Sequence, residues 1–455
     1  MTTAEFIVAH RTDDPRQLAL QASRFPDVDM PYALSQIQGW QAARRKLPSF
    51  AANQDIVYPP HLSMEQCSSE ATALYKAEAV HRLLDSFKGE EDASDKGYGD
   101  SMTDLTGGFG VDFYFVSRHF RRAQYTERNA ELCQVVEHNL KVLGADNASV
   151  VCGDAMEQLR TIDPQTLIFI DPARRDAHGA RTFAISDCTP DVMELLPDLR
   201  RKARFVMIKL SPMLDWHKAV SDLHPLVTDV DIVAVDGECK ELLLTLDMKR
   251  GDVHGDVQKE GDEKNTDGHD YVSVRCADLP SSSFAFRYTS DGGYAIDIQQ
   301  PTDAASQQDH IMSQSAALSP LLTPDHTPSY LYEPNASVMK AGCFRELELT
   351  FGARQISDNS HLFTSEQLIG GFPGRRFAID TVTSFNKRQL KEALRDVTNA
   401  NITVRNFPMT VAILRKKLKL KDGGNTYIFA TTTDGGEHVL LITHKERHKE
   451  EKNGL

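Results

Sequence analysis

Residues 103–112 read TDLTGGFGVD, a carboxylate followed by three glycines in four positions and then a second carboxylate. Only a residue without a Cβ lets a backbone bend this tightly and pass close to another group. Ser101-Met102-Thr103 supplies a thin strand before the glycines. Beyond them the pattern alternates: helix (DFYFVSRHF), strand (AQYTE), helix (AELCQVVEHNLKVLG), strand (ASVVCGD), helix (AMEQLRTI), strand (TLIFIDP), helix (DVMELLPDLRRKA) and strand (RFVMIKLSP). Strands alternating with helices of this length specify an α/β fold, a parallel sheet covered on both faces. DVDIVAVD and ELLLTLDM, separated by GECK, read as two further strands that close the sheet as an antiparallel pair.

Composition bounds the setting. A chain of 455 residues exceeds one ordinary core, so several domains are expected. Its seven cysteines are scattered and form no CxxC pair, which argues against a disulfide framework or a four-thiolate zinc site and for a reducing, cytoplasmic location. No apolar run approaches the roughly 20 residues that cross a bilayer, and MTTAEFIVAHRTDD lacks the pattern of a signal peptide. The net charge of −14 excludes a surface coated for indiscriminate nucleic-acid binding.

Residues 14–88 carry apolar residues at three- and four-residue intervals and read as helical. The segment 89–100 is a polar loop, and the charged, glycine-rich run around 250–271 a flexible linker. Short strand-like runs follow (YVSVRCADL, SFAFRY, YAIDIQ), then YLYEPNASVMKAGCF. The last unit runs RRFAIDTVTSF, NKRQLKEALRDV, NITVRNF, TVAILRKKLKL, NTYIFATTT and HVLLITHK, alternating strands and two helices as a small α+β domain before a solvated tail.

Ligands of an open parallel sheet bind at the carboxyl ends of its strands. Four strand ends carry acids: Asp104, Glu127, Asp154 and Asp171. Glu127 follows Gly107 by 20 residues, the spacing at which a second-strand carboxylate accepts bonds from ribose hydroxyls. GGFGVD departs from the GxGxxG of nicotinamide binders and lacks the lysine and hydroxyl of a triphosphate cradle. For Asp154 a helix N-cap before AMEQL is the competing reading.

As a set these residues resemble the class I S-adenosylmethionine-dependent methyltransferases. DLTGGFGVD with DPARR, and YLYEPNASVMKAG before a basic carboxy-terminal unit, look like the bacterial members that end in a THUMP-like domain. The resemblance implies a Rossmann-like seven-stranded sheet with an N-terminal helical region and smaller C-terminal α+β domains. The expected organisation is a helical region 1–88, a methyltransferase domain 89–249, a linker 250–271, a β-rich ferredoxin-like region 272–374, a THUMP-like domain 375–447 and a tail 448–455. It further implies S-adenosyl-L-methionine as cofactor, with Asp104, Gly107, Gly108 and Gly110 forming the loop, Glu127 on the ribose and Asp154 on the adenine. The fourth-strand motif, Asp171, Pro172, Ala173, Arg174 and then Arg175, would face the substrate.

The acceptor atom stays open. Amino-methylating enzymes place an aromatic in the fourth-strand motif, and DPAR has none, yet the loop is also similar to that of a ribosomal-RNA guanine-N2 family. Ribose 2′-O-methyltransferases of the ribosomal-RNA type use a Lys-Asp-Lys-Glu set, and Lys76, Asp171, Lys209 and Glu241 occur in that order. A ribose hydroxyl has a very high pKa, and a neighbouring ammonium stabilises the developing alkoxide or, with its own pKa lowered, accepts the proton. Covalent chemistry at a pyrimidine would require a positioned thiolate, and Cys152, Cys188 and Cys239 lack suitable flanks.

Between Arg375 and Lys421 twelve basic residues face three acids, a local balance of +9 in an acidic chain. A basic module on an acidic body binds RNA phosphates by counterion release, with Lys416, Lys417 and Lys419 as its densest part. RNA, either tRNA or rRNA, is the expected partner, with no membrane and no metal. The competing classes are a non-catalytic RNA-binding protein on a methyltransferase-like scaffold and a small-molecule methyltransferase.

Overall fold

A computed structural model of the chain describes residues 1–88, 100–174, 185–250, 271–280, 282–289, 294–295, 322 and 326–446. The expected 89–100 loop, the 250–271 linker and the C-terminal tail fall almost wholly outside the described residues. The chain divides into two compact units, Met1–Val235 with Lys240–Val272, and Asp236–Cys239 with Ser273–Leu455. Among the described residues no helix is long and apolar enough to cross a membrane.

The first unit opens with helices α1 (Thr3–His10), α2 (Pro15–Leu20), α3 (Met30–Lys46), α4 (Pro48–Ala52), α5 (His61–Gln66) and α6 (Glu70–Lys88). Sequence periodicity started this region at residue 14; α1 precedes it because Thr2 and Glu5 form a reciprocal capping box. Asp14 and Asp29 cap α2 and α3, each followed by a proline in the first turn. The extended segment between α4 and α5 is held by amide side chains: Gln36 pairs with the backbone of Tyr58, and Asn139 with that of Val57. Residues of α3–α6 therefore share one core with the sheet, in which Phe50 packs edge-on against Phe109 and Tyr114, while Phe6, Leu18 and Ile37 of α1–α3 form a small core of their own.

The alternating elements follow: β1 (Ser101–Asp104), α7 (Val111–Ser117), β2 (Arg122–Glu127), α8 (Ala130–Val142), β3 (Ala148–Cys152), α9 (Ala155–Thr161) and β4 (Gln165–Ile170). Two short strands, β5 (Ala173–Arg174) and β6 (Cys188–Thr189), pair antiparallel. Then come α10 (Val192–Lys202), β7 (Ala203–Leu210), α11 (Trp216–Leu223), β8 (Val227–Val235) and β9 (Glu238–Asp247). Within this unit the strand order is β8-β9-β7-β4-β1-β2-β3. Strands β7, β4, β1, β2 and β3 run parallel to one another, and β9 is antiparallel to β7. The thin strand before the glycines is real, and its four residues are all buried. The reversal into β9 occurs at Asp236-Gly237, both in the left-handed region, so the turn begins one residue before GECK. Chain order reverses between β1 and β4, which places a crevice at their carboxyl ends.

The second unit contains β10 (Tyr271–Leu279), β11 (Ser282–Thr289), β12 (Tyr294–Ala295), β13 (Tyr330–Pro334), α12 (Ala336–Ala341), α13 (Phe344–Phe351), β14 (Arg354–Gln355) and β15 (Phe363–Ser365). It continues with β16 (Gly374–Ser384), α14 (Lys387–Ala393), β17 (Asn401–Val404), α15 (Val411–Leu418), β18 (Thr426–Thr432) and β19 (His438–Lys445). Seven of these strands form one sheet in the order β14-β15-β13-β16-β19-β18-β17. The expected boundary between 374 and 375 falls at the start of β16, which pairs antiparallel with β13, so residues on both sides of it build a single sheet.

Candidate active site

Six elements deliver charged groups to the carboxyl edge of the first unit's sheet. Asp104 ends β1, Asp171 follows β4 and Lys209 lies near the end of β7. Strand β9 runs the other way, so its beginning reaches the same edge: the rung Leu210↔Leu242 sets Glu241 one residue beyond the end of β7. Lys76 comes from α6, where it shares the buried stripe of Ala73, Ala77 and Val80 at helical spacing. Asp112, the second carboxylate of the opening stretch, sits in the first turn of α7.

These groups form one ion network. The Lys76 ammonium pairs with Glu241 Oε1 and lies 3.2 Å from Asp112 Oδ1. The Lys209 ammonium is 2.5 Å from Asp171 Oδ2 and 3.7 Å from Asp112 Oδ2. Asp112 thus stands between the two lysines, and its Oδ2 also accepts from the Ser68 hydroxyl at 2.7 Å. The network is sealed at one end and open at the other. The Lys76 side chain has 0% exposure and Glu241 4%, whereas Lys209 has 14% and Asp171 38%. Asp171 is thus the most exposed member, Lys209 and Asp112 are partly exposed, and Lys76 and Glu241 are buried behind them.

Electrostatics fix the protonation states. Burial pushes the Lys209 pKa down, but Asp171, Asp112 and Glu241 outweigh it and hold the ammonium well above the ordinary lysine value. Burial likewise raises the Asp112 carboxyl, and the charges of Lys76 and Lys209 overcome it to leave the pKa lowered. Burial raises Glu241 despite Lys76. Asp104, fully buried beside Asp112 and Asp171, is pushed up to about 8, chiefly by loss of solvent. Its Oδ1 accepts from the Thr106 amide at 2.9 Å, and the Thr106 hydroxyl in turn accepts from the Asp171 amide at 2.6 Å. A lysine held charged can stabilise negative charge that develops at the open end of the network.

The glycine loop divides its labour in a way the sequence did not reveal. A Cβ on Gly107 would lie 2.1 Å from the Tyr125 ring, so that glycine answers to β2 rather than to open space. Gly110 is left-handed and lies against Val136. Gly108 is different: φ is +54° and the nearest atom a Cβ would meet is the Thr106 carbonyl oxygen at 3.9 Å, so space is open beside it. The loop is pinned from β2, because the Tyr125 hydroxyl donates to the Gly108 carbonyl and Glu127 Oε2 accepts from the Gly108 amide at 3.2 Å. Glu127 Oε1 accepts from the Asn129 amide at 2.9 Å.

Asp154 caps α9, its Oδ1 accepting from the Met156 amide at 2.9 Å and the Glu157 amide at 3.3 Å. Both halves of the earlier alternative remain compatible with it, since Oδ2 has no bond among the described residues. Pro172 is buried and Arg174 belongs to β5, while Arg175 lies outside the described residues. In the second unit Lys416 and Lys417 are exposed in the last turn of α15 and Lys419 is its left-handed C-cap. The Lys417 ammonium lies 4.4 Å from the centre of the Phe385 ring. Sequence reading missed the bridging role of Asp112 and the pinning roles of Ser68, Thr106 and Tyr125. Only Asp112 carried a signal, as the carboxylate that opens the helix after the glycines.

Comparison with known proteins agrees with this architecture. Residues 374–445 match the family described as THUMP domain-like, and residues 330–373 match one described as a ferredoxin-like domain. No curated protein matches the sequence. The crystal structure of a candidate methyltransferase from Porphyromonas gingivalis W83 is similar over 98% of this chain and 98% of its own, with a TM-score of 0.74 and 28% identity. Partial likenesses include a candidate methyltransferase, yhhF, from Escherichia coli (TM-score 0.26, 16% identity, 38% of this chain and 84% of that one). A human methyltransferase 10 domain containing protein is another (TM-score 0.31, 14% identity, 48% of this chain and 98% of that one). The chain therefore combines a methyltransferase-like fold with a THUMP-like C-terminal domain.

Proposed function

We propose that this protein is an S-adenosylmethionine-dependent methyltransferase acting on RNA, and that its acceptor is a ribose 2′-hydroxyl. The observation that carries the reading is the Lys209–Asp171 pair at the open end of a network that also contains Lys76, Asp112 and Glu241.

The loop residues fit the cofactor. The open space beside Gly108 suits a ligand lying against the backbone, and a Cβ there would intrude on it. Glu127 uses one lone pair of each oxygen on a backbone amide and retains another on each for ribose hydroxyls. Asp154 Oδ2, beyond the capped oxygen, would accept from an adenine amine. When bound, S-adenosylmethionine would supply an electrophilic methyl group, whose bond to sulfur breaks as the acceptor oxygen takes it.

Each residue of the network then has a role. Asp171 accepts the hydrogen bond of the acceptor hydroxyl and draws its proton as the oxygen–methyl bond forms. Lys209, held charged, stabilises the negative charge developing on that oxygen. Asp112 holds Lys209 and Lys76 in register, the two lysines keep Asp112 ionised, and Glu241 holds Lys76 in place. A base amine gains positive charge on methylation, and an adjacent fixed ammonium opposes that. The absence of an aromatic in Asp171-Pro172-Ala173-Arg174 points the same way, since nothing in that motif would stack a flipped base.

RNA as substrate rests on the THUMP-like domain and on the +9 balance of residues 375–421. The test is transfer of a labelled methyl group from S-adenosylmethionine to RNA extracted from a strain lacking the protein. Label in RNA from that strain but not in RNA from the parent strain is expected. No label in either, with cofactor binding intact, would leave a binding protein on a methyltransferase-like scaffold.

A further inference from the structure

Glu333, in the YLYEP strand that precedes the THUMP-like domain, is almost fully buried, with 4% exposure. Both of its carboxylate oxygens hold arginines. Oε2 accepts from Arg375, whose Nε lies at 2.9 Å, and Oε1 accepts from Arg405 Nη2 at 2.9 Å. The two arginines come from distant parts of the sheet. Arg375 stands directly opposite Glu333 on the β13–β16 rung, and Arg405 follows β17, its backbone amide bonded to the Ala430 carbonyl at 2.9 Å. The rung is closed by Gly374, where a Cβ would lie 2.3 Å from the Glu333 carbonyl oxygen.

The charge does not balance. Among the described residues Glu333 is the one acid paired with either guanidinium, so it neutralises one and the second is surplus. Both arginine side chains keep an outward face, with 47% and 36% exposure, while the carboxylate that orders them is below the surface at 6%. A guanidinium presents its donors as a planar fork that matches phosphate oxygens two at a time. Fixing two forks from beneath removes the cost of ordering two long side chains when an anion arrives.

We infer that Arg375 and Arg405, held by Glu333, form a preformed binding site for a backbone phosphate of the RNA substrate. This rests on the reading of the protein as RNA-acting and adds a geometric contact to the diffuse charge of the lysines in α15. Lysines attract a phosphate chain wherever it lies. The arginine pair sets its register.

The experiment is fluorescence anisotropy titration of the full-length protein with end-labelled bulk tRNA at several salt concentrations. The variant Arg375→Lys/Arg405→Lys keeps both charges and a partner for Glu333 but loses the forks. Its Kd is expected to rise by about five- to tenfold, with the slope of log K against log salt nearly unchanged. Wild-type affinity in this variant would overturn the site while leaving the RNA reading intact. If the double variant lowers the thermal midpoint, Arg405→Lys alone, which leaves Arg375 on Glu333, is expected to raise Kd by about two- to threefold; no change there also overturns the site. A wild-type protein that binds neither this tRNA nor end-labelled rRNA fragments in a salt-dependent way removes the RNA reading, and the site with it.

Discussion

Lys209 Nζ lies 2.5 Å from Asp171 Oδ2, and these two side chains are the most exposed members of a network whose other end is sealed inside the sheet. The pair spans two neighbouring parallel strands, β4 and β7, and so depends on their register: Ile170↔Ile208 puts Asp171 and Lys209 side by side at the edge. The geometry of this pair is consequently set by the sheet.

The division of labour among the glycines separates stability from cofactor binding. Gly107→Ala forces a Cβ into the Tyr125 ring and should cost about 1–3 kcal/mol of stability. At Gly108→Leu the Cβ comes no nearer to protein than 3.9 Å, the left-handed backbone costs about 1–2 kcal/mol, and S-adenosylmethionine binding should weaken at least tenfold. Urea denaturation and calorimetric titration measure the two effects. Equal loss of cofactor affinity and equal loss of stability in both variants would contradict the assignment.

Lys76 supports the network from a site without solvent. Lys76→Met leaves Glu241 and Asp112 buried without their shared cation and should destabilise the protein by about 3–5 kcal/mol. Adding Glu241→Gln removes one of the stranded charges and should recover part of that loss. If the second change lowers the urea midpoint further, the buried pair is not coupled in this way.

Asp104 gives a pH signature. Its pKa is about 8 in the folded protein against an ordinary 3.8, so between those values the folded state holds a proton that the unfolded chain has released. Stability from this group is full below pH 4 and is lost as pH rises toward 8. Asp104→Asn cannot ionise, and its stability relative to wild type should climb across this window and level off above it. Denaturation midpoints measured from pH 5 to 9 test the sign; a constant difference would mean that Asp104 is already ionised.

Lys416, Lys417 and Lys419 should act on RNA through charge alone. Replacing all three with Gln is expected to weaken RNA binding while lowering the magnitude of the salt slope by about 2–3, with cofactor affinity unchanged. An unaltered slope would show that the backbone does not run along α15.

Much of this was legible in the residues. The 2.0 and 3.6 periodicities marked the strands and helices, and acids at successive strand ends marked the edge where they converge. Lys76 was picked out by the order Lys76, Asp171, Lys209, Glu241, which resembles the set of ribose 2′-O-methyltransferases. What stayed hidden was lateral. The sequence shows that Gly107 is a glycine but not that Tyr125 lies 2.1 Å from where its Cβ would be, and the residues around Asp154 serve equally for a cap and for an adenine contact. Asp112 was visible as a second carboxylate, yet its place between two lysines depends on how α6, α7 and β7 pack. Glu333 and Arg405 are 72 residues apart and meet only because one sheet crosses the expected domain boundary.

The central claim is a hydroxyl acceptor stabilised by Lys209. Its most direct test is single-turnover transfer of labelled methyl to RNA from a strain lacking the protein, followed by digestion and mass spectrometry of the labelled nucleoside, for wild type and for Lys209→Ala. The expected product is a 2′-O-methylnucleoside, formed about 100-fold or more slowly by Lys209→Ala, the loss typical of removing one charge-stabilising group. A base-methylated nucleoside formed by Lys209→Ala at nearly the wild-type rate would contradict it.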